Sequence, residues 1–416
     1  MSEREQAKKT TSLPRLRFPE FRNREGWTTA KLEQLTTLIT KGTTPTSVGF
    51  QFAERGINFI KIESITADGL IDLSRTSAIS VECHEALKRS QLASDDLLFS
   101  IAGALGVTAV VKDFVLPANT NQALAIIRLK DKSSLNFIEK YLTSRAIESE
   151  IMKIKAGAAQ PNISLAQVGN FDVMLPTVAE QQKVAYCLTS LDEVIAAQGR
   201  KVEALKTHKR GLMQHLFPCE GETRPRLRFP EFRNAPEWET KEIGDVFRVT
   251  RGEVLAMPLV KDEQSDQAPY PVYSSQTKNH GLAGYFSHFL YEDAITWTTD
   301  GANAGEVNFR AGKFYCTNVC GVLLNSEGYA NPFVAALLNG ITRSHVSYVG
   351  NPKLMNGVMA KIAIPFPQLA EQQRIADCLS SLDTQITAES NRLAALKTHK
   401  QGLMQQLFPA PEGAAA

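Results

Sequence analysis

An internal duplication constrains this chain more than any other feature. The segment RLRFPEFRN occupies residues 15–23 and recurs letter for letter at residues 226–234. A second repeated block reads AEQQKVAYCLTSLDEVIAAQGRKVEALKTHKRGLMQHLFP from Ala179 and AEQQRIADCLSSLDTQITAESNRLAALKTHKQGLMQQLFP from Ala370. The spans between these blocks differ in length and show little similarity. Such a chain repeats its scaffold and varies what the scaffold carries.

The second block predicts a long helix in each copy. Its apolar residues are spaced alternately four and three apart over about five heptads, which is typical of coiled-coil packing. Each helix should begin after a proline, with glutamate in its first turn and basic residues toward its last. About 38 residues make a rod of roughly 57 Å, and pairing the rods along their apolar seams buries both. The seam residues are Val184, Leu188, Leu191, Ile195, Val202, Leu205, Leu212 and Leu216, and then Ile375, Leu379, Leu382, Ile386, Leu393, Leu396, Leu403 and Leu407.

The spans between the blocks predict globular domains rich in strands. They contain short β-branched and aromatic runs such as INFIKIESI, LAIIRL and AITWTT, separated by glycine turns such as KGTTP, AGALG and DGANAG. Short helices are expected at residues 135–154 and 331–342. The predicted division is 1–24 (N-terminal tail and first RLRFPEFRN copy), 25–178 (first variable domain), 179–217 (first long helix), 218–236 (linker and second RLRFPEFRN copy), 237–368 (second variable domain), 369–409 (second long helix) and 410–416 (disordered tail).

The composition is that of an ordinary soluble protein of more than one domain. The chain has 416 residues, of which 43% are hydrophobic and 22% charged. The N-terminal sequence lacks the apolar core of a signal peptide and no apolar run is long enough to span a membrane, so we expect a cytoplasmic protein. Six scattered cysteines predict reduced thiols without zinc. Because the formal charge is only +2, binding to nucleic acid would depend on local basic surface.

No catalytic signature stands in the sequence. The GxxxxGK[ST] loop, a GxGxxG after a strand and HExxH are all missing, and Asn-Pro-Phe at residues 331–333 lacks the second proline of the base-methylating Asn-Pro-Pro-aromatic motif. We interpret His208 and His399 as cations near the C-terminal end of a helix. We therefore expect no catalytic residue, no cofactor and no metal in this chain.

Three glycine-rich loops recur at corresponding places in the two variable domains. The first follows the opening strand or helix, the second follows a later strand, and the third precedes the long helix. Taken singly, each is more simply a hairpin connection, but recurrence in both domains favours DNA binding, because polar side chains on such loops can reach base edges or phosphates. The candidate DNA contacts are Lys41, Thr43, Thr44, Lys61, Ser100, Gln160 and Asn162 in the first domain, and Arg251, Ser275, Lys278, Thr299, Asp300, Asn303, Lys353 and Asn356 in the second.

The sequence resembles the DNA-specificity (S) subunit of type I restriction-modification systems. The likeness rests on the doubled layout, on LPTVAEQQ from Leu175 and PFPQLAEQQ from Pro365, and on the SLD and LKTHKxGLMQxLF endings, and it extends from Leu13 to Pro409. It implies two target-recognition domains, each reading one half of a split, asymmetric double-stranded DNA site. It also implies two modification (methyltransferase) subunits that bind S-adenosylmethionine and methylate adenine, and restriction subunits that use ATP and magnesium to translocate and cut DNA.

The predicted fold class is α+β. Two strand-rich α/β target-recognition domains in a pseudo-two-fold arrangement would be separated by two long antiparallel coiled-coil helices. Rods of this length would hold the domains about one DNA turn, near 34 Å, or somewhat more apart. Two alternatives stay open: a coiled-coil adaptor protein without DNA function, whose affinity need not fall with salt, and a DNA enzyme with an unrecognised site, which would show turnover.

Overall fold

The computed structural model describes residues 13–66, 68–156, 161–219, 221–275 and 279–409. The chain forms two compact units. Unit 1 comprises residues 1–200 and 391–416, and unit 2 comprises residues 201–390. Each long helix therefore belongs to unit 1 over one half and to unit 2 over the other.

Strands dominate the first variable span. Four of them form a sheet in the order β2-β8-β5-β6, three form a sheet in the order β4-β3-β7, and β1 pairs with β9 in a two-stranded ribbon. The strands are β1 Thr28–Lys31, β2 Thr36–Lys41, β3 Ile57–Ile60, β4 Ser77–Ile79, β5 Leu97–Ser100, β6 Thr108–Val110, β7 Ala118–Thr120, β8 Leu124–Leu129 and β9 Asp172–Leu175. The helices are α1 Leu32–Leu35, α2 Val81–Ala86, α3 Leu135–Leu142, α4 Arg145–Ala156, α5 Leu165–Gly169 and the long α6 Val178–Leu216.

The second variable span has a different sheet. Six strands pair in the order β11-β16-β14-β15-β12-β13, and β10 pairs with β17 in a ribbon. The strands are β10 Glu239–Glu242, β11 Arg248–Arg251, β12 Tyr270–Tyr273, β13 Leu282–Phe286, β14 Tyr291–Thr298, β15 Val307–Cys316, β16 Cys320–Leu324 and β17 Ala363–Phe366. The helices are α7 Ile243–Val246, α8 Pro332–Ile341, α9 Asn356–Ala360 and the long α10 Leu369–Leu407. With two strand-rich spans and two long helices, the predicted α+β class is confirmed.

The long helices α6 and α10 run antiparallel within each unit. In unit 1 the Lys400 Nζ lies 2.5 Å from Asp192 Oδ1, and in unit 2 the Lys209 Nζ lies 2.6 Å from Asp383 Oδ1. In unit 2, Lys201 also pairs with Glu389, so residue numbers rise along α6 as they fall along α10. In unit 1, Val184 and Leu188 lie in the same apolar cluster as Leu407, which gives the same opposed directions. The predicted seam residues are buried or half-buried along both helices. No described helix is both long and apolar enough to cross a membrane.

One predicted helix is divided. The sequence predicted a single helix over residues 135–154, and the structure has α3 and α4 with a break at Thr143 and Ser144. The Thr143 N–H and hydroxyl both donate to the Lys140 carbonyl, at 3.3 Å and 2.9 Å. These bonds end α3, because threonine offers the backbone an alternative to the helical pattern. The other prediction, residues 331–342, agrees with α8, whose first turn is capped by the Asn331 side chain.

The repeated RLRFPEFRN segment fastens the start of α6 in unit 1. The Arg17 guanidinium donates to both carboxylate oxygens of Glu180, at 2.8 Å and 2.7 Å, and to the carbonyls of Arg24 and Glu25. The Trp27 Nε1 donates to the same carboxylate at 3.2 Å. Both charged groups are buried, and the hydrogen bonds to Glu180 raise the pKa of Arg17 above its ordinary value. We call this arrangement the clamp of unit 1.

Unit 2 contains an equivalent clamp at the start of α10, with the same ion pair but without a hydrogen bond from the tryptophan Nε1 to any described residue. Arg228 donates to both carboxylate oxygens of Glu371, at 2.7 Å and 2.6 Å, and to the carbonyls of Ala235 and Pro236. The hydrogen bonds to Glu371 likewise raise the pKa of Arg228. In each copy, the arginine of RLRFPEFRN and the glutamate of AEQQ form a buried ion pair, which accounts for the presence of both residues in both copies.

Candidate nucleic-acid interface

Two loops of unit 1 and the described end of the third, residues 161–162, lie at one edge of its four-stranded sheet, where β2 and β5 end. Lys41 ends β2 and Ser100 ends β5, and both pair with the first two residues of β8. The third loop reaches the same edge, because the Ile163 N–H donates to the Ile101 carbonyl at 2.8 Å. The loops predicted from sequence are therefore neighbours in space.

Unit 2 places its three loops in the same way. Arg251 ends β11 and Thr298 ends β14, and both pair with the first residues of β16. The Leu354 N–H donates to the Thr299 carbonyl at 2.9 Å and so joins the third loop to the second. The two units share this arrangement although their sheets differ.

The glycine of the first loop is required by a close approach of two backbones. A Cβ on Gly42 would lie 2.0 Å from the Thr120 carbonyl oxygen, and one on Gly252 would lie 2.2 Å from the Cys316 carbonyl oxygen. No larger residue could stand there without moving the strand end. The backbone packing therefore explains why glycine stands at these two positions. The cations that precede the glycines, Lys41 and Arg251, are exposed and so are available for binding.

Two exposed side chains beside the first loop of unit 1 were missed by the sequence analysis. The Arg89 Nη2 donates to Thr43 Oγ1 at 3.2 Å, and the Thr44 hydroxyl donates to Gln122 Oε1. Arg89 and Gln122 lie far from this loop in the sequence and no local motif marks them. Arg89 adds a cation to the edge that carries Lys41.

Lys61 lies close to the same edge. It follows β3, whose last residue pairs with Thr120, and the Thr120 carbonyl accepts a hydrogen bond from the Thr43 N–H at 3.1 Å. The Lys61 Nζ is 4.8 Å from the ring centre of Phe52 and 3.7 Å from Glu63 Oε1. The Lys61 side chain is half-buried and thus remains in part accessible.

Ser100 is engaged inside its own turn. Its side chain is fully buried, its hydroxyl donates to the Ala104 carbonyl, and it accepts from the Val107 N–H at 2.7 Å. These bonds shape the second loop and leave the hydroxyl without a free donor. Ser100 therefore supports the shape of the second loop and does not present its hydroxyl to a ligand.

Thr299, Asp300 and Lys353 form a connected group in unit 2. Thr299 is 1% exposed, and its hydroxyl lies 2.7 Å from Asp300 Oδ2 and 2.9 Å from the Val319 carbonyl. The Lys353 Nζ lies 3.6 Å from Asp300 Oδ1, with half of the lysine side chain exposed. Thr299 orients Asp300, and Lys353 presents its charge to solvent.

Arg251 and Asn356 also make contacts that hold the loops. The Arg251 Nη2 donates to the Asn318 carbonyl at 2.9 Å while the side chain stays exposed. The Asn356 amide donates to the Thr250 carbonyl at 3.2 Å, which ties α9 to β11.

The remaining predicted contacts vary in exposure. Asn162 is exposed, and Ser275 and Asn303 are half-buried. Gln160 and Lys278 lie outside the residues that the structure describes.

A buried cation in unit 2 was not predicted. The Arg310 guanidinium stacks 3.7 Å from the ring centre of Tyr273 and donates to Thr296 Oγ1 at 3.0 Å and to the His280 carbonyl at 2.7 Å. Burial lowers the pKa of this arginine below its ordinary value. The contacts fasten the turn at His280 to β14 and β15.

The cysteines are unpaired. Burial raises the pKa of Cys320 to about 11 and that of Cys316 further still. Both thiols are therefore protonated at neutral pH and poorly suited to act as nucleophiles. Within the described ranges, no three or more His, Cys, Asp or Glu side chains are grouped as metal ligands would be.

Comparison with known proteins agrees with this architecture. Residues 24–207 and 236–398 match the family described as type I restriction modification DNA specificity domain. A protein of Methanocaldococcus jannaschii, provisionally named as the specificity subunit of the type I restriction enzyme MjaX, is 23% identical over 408 residues, which are 92% of this chain and 93% of the relative. A provisionally named type I specificity subunit N-terminus of Mycoplasma pneumoniae is 37% identical over 146 residues, which are 34% of this chain and 76% of the relative.

A solved structure has the same fold. The S subunit of a type I restriction-modification system from M. genitalium superposes with a TM-score of 0.62 at 16% identity, covering 96% of this chain and 99% of that one. The chain belongs to the type I restriction-modification DNA-specificity family. Within that family it is a specificity subunit with two recognition domains, and the role of such a subunit is to provide specificity without catalysis.

Proposed function

We propose that this chain binds a bipartite, asymmetric double-stranded DNA site, with one half-site read by residues 25–178 and the other by residues 237–368. The observation that carries the proposal is made in each unit by itself: the first two loops follow the ends of equivalent strands, and Ile163 in unit 1 or Leu354 in unit 2 bonds to the second of them, although the two sheets otherwise differ. Common placement with different side chains is what two readers of different half-sites need. The specificity of each half then depends on the residues of its own loops.

The candidate contacts divide into three groups by their charge and by their role in the loops. The accessible cations Lys41, Lys61, Arg251 and Lys353, joined by Arg89, are suited to phosphates. Thr43, Thr44, Asn162, Ser275, Asp300 and Asn303 remain candidates for base contacts, together with Gln160 and Lys278. Ser100, Thr299 and Asn356 act by holding the loops in shape, since their polar groups are already bonded within the protein.

The proposed partners follow from the family. Two modification subunits that bind S-adenosylmethionine, and restriction subunits that use ATP and magnesium, would supply the chemistry in the cytoplasm. The long helices, residues 179–217 and 369–409 in the division proposed from sequence, would provide docking surface. No cofactor is proposed for this chain.

Exchange of one domain tests independent reading. Replacing residues 27–176 by the matching span of a relative should change one half of the methylated sequence in cells that also carry the modification subunits. The other half and the spacing should persist. Methylome sequencing reads all three at once, and a change in both halves would contradict independent recognition.

Removal of the cations tests DNA binding itself. Each lost phosphate contact should lower the salt slope of DNA affinity by about one, so Lys41→Ala with Arg89→Ala should lower it by about two. Affinity of the assembled complex would be titrated by fluorescence anisotropy at several salt concentrations. The control is Lys112→Ala with Lys313→Ala. Both lysines lie at the strand ends opposite to the loops: Lys112 comes just after the end of β6 that pairs with the start of β5, and Lys313 pairs with the start of β14.

The outcome separates the proposal from its alternatives. An unchanged slope in the Lys41 and Arg89 variant would contradict the assignment of these cations. Wild-type affinity that does not fall with salt would favour the adaptor protein without DNA function. Turnover of DNA by the purified chain alone would favour the enzyme.

A further inference from the structure

Two large exposed side chains stand directly before the third loop of unit 2, residues 350–356. Tyr348 is 67% exposed and Val349 is 93% exposed. Gly350 follows with φ of +79°, a conformation that lets the chain turn back sharply. An aromatic and an aliphatic side chain thus occupy the tip of a tight turn.

The base of this turn is rigidly closed. The Ser347 N–H donates to the Lys353 carbonyl at 2.9 Å, and the Lys353 N–H donates back at 3.0 Å. Val346 and Leu354, which flank this pair, are buried in the core of unit 2. The tip is therefore a short projection with a fixed root.

The root is joined to the second loop. The Leu354 carbonyl accepts from the Trp297 Nε1 at 3.0 Å, and the Gly301 N–H donates to the Pro352 carbonyl at 2.9 Å. A Cβ on Gly305 would lie 2.9 Å from Val346 Cγ2, so this glycine lets the two loops pack closely. A surface held in this way loses little conformational entropy on binding.

The charge around the tip selects its partner. The stretch of residues 328–370 contains no aspartate or glutamate, and it includes Arg343, Lys353 and Lys361. Arg343 and Lys353 are exposed and stand before and after the tip in the chain, and Lys353 keeps half of its side chain exposed although its Nζ lies 3.6 Å from Asp300 Oδ1. An apolar tip with cations near it in the chain complements double-stranded DNA, whose phosphates are anionic and whose major groove presents the apolar C5-methyl groups of thymine beside its polar base edges.

We propose that Tyr348 and Val349 enter a groove of the DNA and read bases by apolar contact, while the flanking cations hold phosphates. The proposal rests on the proposed DNA-binding function and adds a mode of recognition that the polar candidates do not provide. Valine and the tyrosine ring can contact the C5-methyl group of thymine or the face of a base. These two residues then determine specificity at one or two positions of the second half-site.

The test uses the complex of this chain with its modification subunits. The variant is Tyr348→Ser with Val349→Ser, which replaces exposed side chains and should leave folding unaffected. The control is Leu259→Ser, an aliphatic side chain that is 52% exposed on a separate turn of unit 2. Affinity would be measured by anisotropy on a duplex carrying the wild-type methylated site and on an unrelated duplex.

The double variant should lose about tenfold in affinity for the specific duplex and keep its affinity for the unrelated one. Its salt slope should match wild type, because no phosphate contact is removed. In cells, the methylated motif should relax in one half only. The Leu259 control should behave as wild type in every measurement.

Two results would overturn the inference. One is a double variant with wild-type affinity and an unchanged motif. The other is failure of the variant to assemble with the modification subunits in size-exclusion chromatography, which would make the tip a protein contact. A wild-type complex that methylates no split motif would overturn the proposed function itself, and this is seen before any variant is made.

Discussion

The two units share a frame and differ in what the frame carries. Each begins with a strand, a four-residue helix and a second strand (β1-α1-β2 and β10-α7-β11), and each closes with a short helix and a strand that pairs back on the first. Unit 1 then holds sheets of four and three strands, while unit 2 holds one sheet of six. The repeated sequence blocks flank this frame, and both the frame and the sheets lie within the spans between the blocks, so the two units keep the frame without repeating its sequence.

The clamp explains how the frame tolerates divergence next to it. Apart from its ion pair, each clamp arginine bonds within the described residues only to backbone carbonyls, of Arg24 and Glu25 in one unit and of Ala235 and Pro236 in the other. Backbone carbonyls are present whatever the side chain. The clamp therefore requires the arginine and the glutamate by type and leaves the side chains of the carbonyl-bearing residues free to vary.

Loss of a clamp arginine should have the largest effect on stability. Arg17→Ala leaves Glu180 buried without its charge partner, and Arg228→Ala does the same to Glu371. We expect each to lower the free energy of unfolding by about 3–5 kcal/mol, the usual cost of breaking a buried ion pair from one side. Urea unfolding followed by tryptophan fluorescence and circular dichroism measures both.

The repeated segment provides the control for this pair. Arg15→Ala and Arg226→Ala remove the exposed first arginine of each RLRFPEFRN copy, and each should change stability by less than about 0.5 kcal/mol. A large loss for one clamp arginine and a small loss for the other would show that the two frames are not equivalent.

The buried tryptophans should distinguish the two clamps. Trp27 Nε1 donates to Glu180, whereas Trp238 Nε1 is buried and has no hydrogen-bond partner among the described residues. Trp27→Phe should therefore cost about 1.5–3 kcal/mol more than Trp238→Phe, because only the first loses a hydrogen bond to a charged group. Each tryptophan packs edge-to-face on a phenylalanine, Phe137 or Phe333, so the packing loss is similar. Equal losses in urea unfolding would contradict the difference between the clamps.

The aspartates of the SLD motifs should show the smallest difference. Asp192 lies 2.9 Å from the Lys140 Nζ and 2.5 Å from the Lys400 Nζ, with 20% of its side chain exposed, while Asp383 pairs with Lys209 and is 57% exposed. We expect Asp192→Asn to cost about 1–2 kcal/mol and Asp383→Asn less than about 1 kcal/mol. High salt should remove most of the Asp383 effect and less of the Asp192 effect. Thermal unfolding at low and high salt compares them, and a larger cost for Asp383→Asn would reverse the ranking.

The sequence by itself determined the long helices, the two strand-rich spans and the placement of three loops in each. These features are local, since a heptad seam, a β-branched run and a glycine turn each specify conformation within a few residues. The break between α3 and α4 was missed although its cause is local, because the hydrogen bonds of one threonine outweighed a continuous helical pattern.

Only the tertiary structure decided which distant residues meet. Both copies of RLRFPEFRN and of AEQQ were visible as repeats, yet the pairing of Arg17 with Glu180 spans 163 positions and leaves no trace in either segment alone. The same holds for Arg89 beside Thr43, and for Arg310 on Tyr273. The tertiary structure also decided that Ser100 and Thr299 are buried while Val349 is 93% exposed. Composition and spacing fix the conformation of neighbours along the chain, but burial and partnership depend on how the strands are ordered in the sheet, which short-range preferences do not encode.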